Sequence, residues 1–117
     1  MNLHPDDEGY FEVIKEMSFR LAAKFDLDLE KVEYKKHPGR VVLGMCAPWT
    51  KHIKILIRTA KNGHWSAKRL PDHVIMKTVA HELAHLKFYD HGKEHDTLTD
   101  EIFNYVWFGQ KTKEKQK

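Results

Sequence analysis

The chain has 117 residues, of which 41% are hydrophobic and 32% charged, with a formal net charge of +3. This length and balance fit one compact soluble domain with a small core, and we expect no second domain. Cys46 is the only cysteine, which excludes an intrachain disulfide. No apolar run reaches the length of a membrane span, and the first ten residues lack the apolar core of a signal peptide. We therefore expect an intracellular, cytoplasmic protein without membrane contact.

The first half of the chain predicts a helix followed by three short strands. From Glu8 to Phe25, apolar residues recur every three or four positions, which is typical of an amphipathic helix. The period then changes to two, and the predicted strands centre on Val32 and Tyr34, on Val41, Leu43 and Met45, and on Ile53, Ile55 and Ile57. Turns are predicted at residues 37–39 (His-Pro-Gly) and 62–63 (Asn-Gly). We expect a small, mostly antiparallel sheet connected as a meander, with one face on the core.

The second half predicts two helices and a basic tail. One helix begins at Pro71 and Asp72 and runs to about Phe88 or Tyr89, with an apolar stripe formed by Ile75, Val79, Leu83 and Leu86. The last helix is predicted from Lys93 to Phe108, so the element order indicates the α+β class. We place one domain over residues 1–110 and a flexible tail over 111–117. The four lysines of this tail would allow a weak electrostatic contact with nucleic acid.

The segment His81-Glu82-Leu83-Ala84-His85 has the spacing of a metal site. Residues four apart lie on the same face of a helix, so His81 and His85 can reach one ion. At 100° per residue, both histidines lie roughly opposite the apolar stripe. Glu82 flanks them, where a carboxylate can take a proton from metal-bound water. The pattern therefore predicts a catalytic Zn²⁺ site on a helix whose other face is in the core.

A catalytic zinc ion usually has three protein ligands and one open position. His91 is the favoured third ligand, because the chain can turn after the helix and Gly92 permits a left-handed backbone there. His95 and Glu101 remain alternatives for this position or additions to it, and Asp90 could orient a ligand from outside.

These residues resemble those of a known group of enzymes. Residues 79–86 (VAHELAHL) and 90–94 (DHGKE) are similar to the WLM and YgjP-like metallopeptidases and to the related SprT/Spartan group. The resemblance is specific over residues 71–96 and only architectural elsewhere. It implies a minimal zincin-like domain that hydrolyses peptide or protein substrates, with His81, His85 and His91 as zinc ligands and Glu82 as general base. It also implies a sheet edge to which an extended peptide could pair. His95 departs from the family, which has Phe or Trp there.

Two other functions remain open, and the oligomeric state is not predicted. His85-Leu86 and Tyr89-Asp90-His91 are also similar to a family of single-strand-specific endoribonucleases, although that family has glycine at the position of Glu82. The other alternative is a non-catalytic binding module, in which a fourth ligand closes a structural zinc site. Metzincins are excluded, because they have glycine at the position of Phe88 and require a later methionine that this chain lacks.

Overall fold

The structure is a computed structural model that describes residues 5–34, 43–61, 64–65 and 68–115. A short 3-10 helix at Pro5–Asp7 leads into the first α-helix. The helices are α1 (Glu8–Lys24), α2 (Asp72–His85) and α3 (Lys93–Lys115). The strands are β1 (Lys31–Tyr34), β2 (Gly44–Ala47), β3 (His52–Ile55), β4 (Ala60–Lys61) and β5 (His64–Trp65). The predicted α+β class and the order of helix, strands, helix and helix are confirmed.

The first three strands form one sheet in the order β1-β3-β2. β3 is central, pairing in parallel with β1 and antiparallel with β2. The predicted meander is therefore wrong, because a meander would place β2 in the middle. Ile53 and Ile55 of β3 are fully buried. The most apolar strand is therefore the central one, with a neighbouring strand on each edge. The sequence did not predict the hairpin of β4 and β5, and the turns predicted at 37–39 and 62–63 lie outside the described residues.

α1 and α2 pack on the sheet, and α3 packs against α2 to complete one core. α1 begins at Glu8 as predicted and buries Phe11, Ile14 and Leu21. α2 ends at His85, before the predicted end at Phe88 or Tyr89. α3 continues to Lys115, beyond the predicted end at Phe108. The division into a domain over 1–110 and a tail over 111–117 stays a prediction. Within the described part of the chain, no helix combines the length and apolar character that a membrane span requires.

A buried ion cluster ties the start of α1 to the segment after β3. Asp7 is fully buried, and both of its oxygens accept hydrogen bonds from Arg58, each at 3.0 Å. Arg69 adds a weaker contact at 3.4 Å. Burial alone would raise the pKa of Asp7, but the hydrogen bonds and charges of Arg58 and then Arg69 hold it below its usual value. The bidentate pair is therefore ionised in the folded protein.

We predict that Asp7→Asn destabilises the fold by about 3–5 kcal/mol, because it removes the carboxylate charge that forms the bidentate pair with buried Arg58. The measurement is urea unfolding at neutral pH. Since the pKa of Asp7 is lowered on folding, its contribution is present above the ordinary aspartate pKa of about 4 and is lost as pH falls through the folded value. Glu16→Gln, which removes the exposed pair with Arg20, is the control and should cost less than about 1 kcal/mol. Equal effects for the two variants would contradict the prediction.

Candidate metal centre

Helix α2 contributes one face to the core and the other to a cleft. Ile75, Val79 and Leu83 are fully buried in the core cluster. His81 and His85 lie on the opposite side and remain partly exposed. The helix phase predicted from the sequence is therefore confirmed.

The structure brings His81, His85 and His91 together. The Nε2 atom of His91 lies 3.2 Å from Nε2 of His81 and 2.9 Å from Nε2 of His85. One ligand atom from each ring lies within 4.8 Å of the others, and no fourth His, Cys, Asp or Glu of the described residues joins the group. Two nitrogens on a tetrahedral zinc ion, each about 2.0–2.1 Å from it, lie about 3.3 Å apart. The three rings therefore fit the donor set and size that zinc requires.

The protonation of the rings also suits metal binding. Nδ1 of His85 lies 3.1 Å from the carbonyl oxygen of Phe88. A carbonyl only accepts, so Nδ1 carries the proton and Nε2 presents its lone pair to the cluster. Burial, followed by the neighbouring histidines, lowers the pKa of His81 to about 4 and also lowers that of His85. Both rings are thus held in the neutral form that binds a metal.

His95 lies behind the triad. Its side chain is 0% exposed, and its Nε2 donates to the backbone carbonyl of His81 at 3.0 Å. Its ring stacks on that of His85, with centroids 4.0 Å apart, and meets that of His81 edge-on at 4.6 Å. The other alternative ligand, Glu101, is exposed on α3 and is not part of the histidine group. His95 therefore lies where the resembling family has Phe or Trp, and its ring packs against two predicted ligands, His81 and His85.

His91 reaches the cluster by a different backbone path from the one predicted. Gly92 does not adopt the left-handed conformation, and a Cβ there would meet nothing within 4 Å. The chain instead turns after α2 through hydrogen bonds from Lys87 and Phe88 to the carbonyl of Ala84. Gly92 is the N-cap residue of α3, and its carbonyl accepts from Asp96 at 3.0 Å. The two helix ends, rather than a special glycine conformation, place His91.

Glu82 lies between the histidines and strand β2. Its side chain is 6% exposed, and burial raises its pKa to about 7. A Cβ added to Gly44 would lie 2.9 Å from both Cγ and Oε2 of Glu82 and 2.7 Å from Cγ2 of Thr78. Gly44 was missed in the sequence, although a glycine inside a strand often marks such a close approach. The carboxylate is thus held against the backbone of β2.

A cleft of about 540 Å³ runs over these residues. One wall is β2 and the turn after it, with Met45, Cys46 and Pro48, and the opposite wall contains the three histidines and Tyr89. Tyr89 is 66% exposed and its ring lies 6.4 Å from that of Trp49, which is 73% exposed. Two exposed aromatic rings therefore mark the end of the cleft near His91.

One solved structure shares this architecture. It is the crystal structure of a Wss1 mutant from Saccharomyces cerevisiae, with a TM-score of 0.73 and 22% sequence identity. The match covers 96% of this chain and 89% of the other. The chain has the fold of Wss1.

The predicted resemblance is therefore confirmed at the level of the fold. No family model matches the sequence, and no curated protein matches it either. The individual roles of His81, Glu82, His85 and His91 stay predictions, supported by the geometry described above.

We predict that alanine at His81, His85 or His91 weakens zinc binding by more than roughly 100-fold, which exceeds the usual effect of losing an outer partner. The measurement is competition with a chromogenic chelator. His73→Ala is the control, since His73 lies on the same helix outside the group and should leave the affinity unchanged. Tight stoichiometric binding in all three cluster variants would rule out this site.

His95→Phe should retain one zinc ion per chain, because phenylalanine preserves the stacked ring and only the hydrogen bond to the His81 carbonyl is lost. We expect the affinity to fall by no more than about 10-fold. Metal analysis after dialysis measures the stoichiometry. Loss of the zinc from this variant would show that His95 is itself a ligand.

Proposed function

We propose that this protein is a zinc-dependent metallopeptidase. The observation that carries the proposal is the convergence of three histidine nitrogens and one buried carboxylate on one cleft of a Wss1-like fold. His81, His85 and His91 would hold the zinc. When bound, the ion supplies a Lewis acid that polarises a carbonyl and lowers the pKa of water.

The chain's own residues account for the proton transfers. Glu82 accepts a proton from the attacking water and returns it to the leaving amine. Its burial favours this exchange, because a carboxylate with a raised pKa gains and loses a proton near neutral pH. Gly44 leaves the room in which the Glu82 carboxylate lies against β2, because a Cβ at this position would be only 2.9 Å from Oε2 of Glu82.

Strand β2 provides a backbone on which an extended substrate can pair. Leu56 donates to the Leu43 carbonyl at 2.9 Å, and Met45 lies opposite Lys54 in the same antiparallel ladder. Since hydrogen-bonding direction alternates along a strand, the backbone groups of Gly44 and Cys46 point away from β3. No strand of the described residues pairs with β2 on that side. A peptide added there would lie across the cleft, next to Glu82.

The geometry supports an open catalytic centre over a closed structural site. The described residues supply three ligands in one group, and the Nε2 of His95 is already engaged by the His81 carbonyl. A three-ligand set leaves a position for water, as catalytic zinc sites require.

We predict that Glu82→Gln lowers kcat for peptide hydrolysis by roughly 10²–10⁴-fold while zinc content is unchanged, because the amide cannot accept the proton. The assay uses zinc-loaded protein with a quenched fluorescent peptide, an unfolded protein and a single-stranded RNA as parallel substrates. Wild-type activity in the variant would eliminate Glu82 as the base. Metal-dependent cleavage of the RNA alone would replace the peptidase proposal with the endoribonuclease alternative.

Gly44→Ala should lower kcat by about 10–100-fold, because the new methyl group displaces the Glu82 carboxylate, and small displacements of a reacting group have effects of this size. Zinc affinity should stay within about threefold of wild type, since Gly44 is not one of the histidine ligands. Gly9→Ala is the matched control, because a Cβ at this position of α1 meets nothing within 4 Å. Full activity of Gly44→Ala would contradict the positioning role.

A further inference from the structure

A second cavity, of about 480 Å³, adjoins the metal cleft. The two share Gly44, His81 and Glu82, so the new cavity opens directly beside the proposed base. It extends along α2 in the direction away from His91, beneath the first residues of β2. Its walls beyond the shared residues come from Leu43, Val74, Thr78 and Phe103, with His73 and Lys77 also contributing.

Two polar side chains of these walls, Thr78 and Lys77, are already engaged. The hydroxyl of Thr78 donates to the Val74 carbonyl at 2.8 Å. The ammonium of Lys77 lies 3.1 Å from Asp100 and 5.3 Å from the centre of the Phe103 ring. A polar side chain entering the cavity would therefore lose its water without gaining a new partner from these groups, whereas an apolar one would gain by leaving water.

The position of Glu82 relates the cavity to one side of the scissile bond. A base that returns its proton to the leaving amine must face the half of the substrate that carries the amine. The residue beyond the scissile bond therefore lies on the Glu82 side, where the cavity opens.

The direction of β2 leads to the same assignment. β2 runs from Gly44, beside the cavity, toward Pro48 at the end of the metal cleft. A substrate that pairs antiparallel with it, the more stable arrangement, runs from the Pro48 end toward the cavity. The half of the substrate that follows the scissile bond then lies at the cavity, as the position of Glu82 also requires.

We infer that this cavity, called here the Phe103 pocket, binds the side chain of the residue that directly follows the scissile bond and selects a large aliphatic or aromatic one. The inference rests on the proposed peptidase function and adds a substrate class to it. Peptides with leucine or phenylalanine at this position are the preferred substrates, and those with aspartate or glycine are the poorest.

The experiment is digestion of a defined peptide library by the zinc-loaded full chain, with cleavage sites and rates read by mass spectrometry. Wild type should favour leucine or phenylalanine over alanine after the bond by on the order of tenfold or more in kcat/KM. Val74→Phe, which fills the Phe103 pocket, should reduce this ratio to below about threefold while retaining cleavage before alanine. Val13→Phe is the matched control, because it makes the same change at an exposed position of α1 and should keep the wild-type ratio.

Phe103→Ala provides a second variant that enlarges the pocket, with Phe19→Ala on the partly exposed face of α1 as its control. Phe103→Ala should shift the preference after the scissile bond from leucine toward phenylalanine or tryptophan. Thermal unfolding of each variant establishes that the variant is folded. Two results would overturn the role of the Phe103 pocket and leave the peptidase proposal standing. One is cleavage with no preference for the residue after the scissile bond, and the other is a preference only for the residue before it. Cleavage of no peptide in the library would overturn both.

Discussion

The anchoring of α2 in the core is the interaction on which the rest of the site depends. Ile75, Val79 and Leu83 are excluded from solvent on one side of the helix, so its rotation about its own axis is fixed. Rotating the helix by one residue would expose this stripe and move His81 and His85 by about 100°. Because the stripe contributes several kcal/mol of burial energy, the positions of these two proposed ligands are as stable as the core itself.

Glu82 shows how the same packing buries the proposed base at a cost in stability. No described residue forms an ion pair with this carboxylate, and its near exclusion from water raises its pKa. The absence of a side chain at Gly44 leaves the space against β2 that this carboxylate occupies. Asp7 is the contrasting case, since Arg58 and Arg69 lower the pKa of an equally buried carboxylate. One acid therefore contributes to stability, while the other has a raised pKa beside the histidine group.

Features set by local periodicity could be predicted from the sequence, and features set by contacts between distant segments could not. The phase of α2 and the placement of His81 and His85 on one face follow from helix geometry. The central position of β3 does not, because the pairing of four-residue strands depends on which neighbours the whole fold supplies. The contact of Gly44 with Glu82, the stacking of His95 on His85, and Phe103 as a cavity wall all join residues that are far apart in the chain or on different elements. For the contact of Gly44 with Glu82, the sequence offered one signal, which is a glycine inside the alternating strand pattern of Leu43 and Met45.

The layout of the cleft also indicates the state of substrate that it can accept. In the proposed function, pairing with the edge of β2 that no described strand covers would require a fully extended backbone. The Phe103 pocket would require one side chain to leave its own protein's core or surface. A folded domain rarely presents both, because its apolar side chains are buried and its strands are already paired. In the proposed function, the enzyme would therefore act on tails, loops and locally unfolded segments, at a rate that depends on how often the substrate opens. Selectivity would then have two sources: the local stability of the substrate decides which segments are reached, and the pocket decides where each segment is cut.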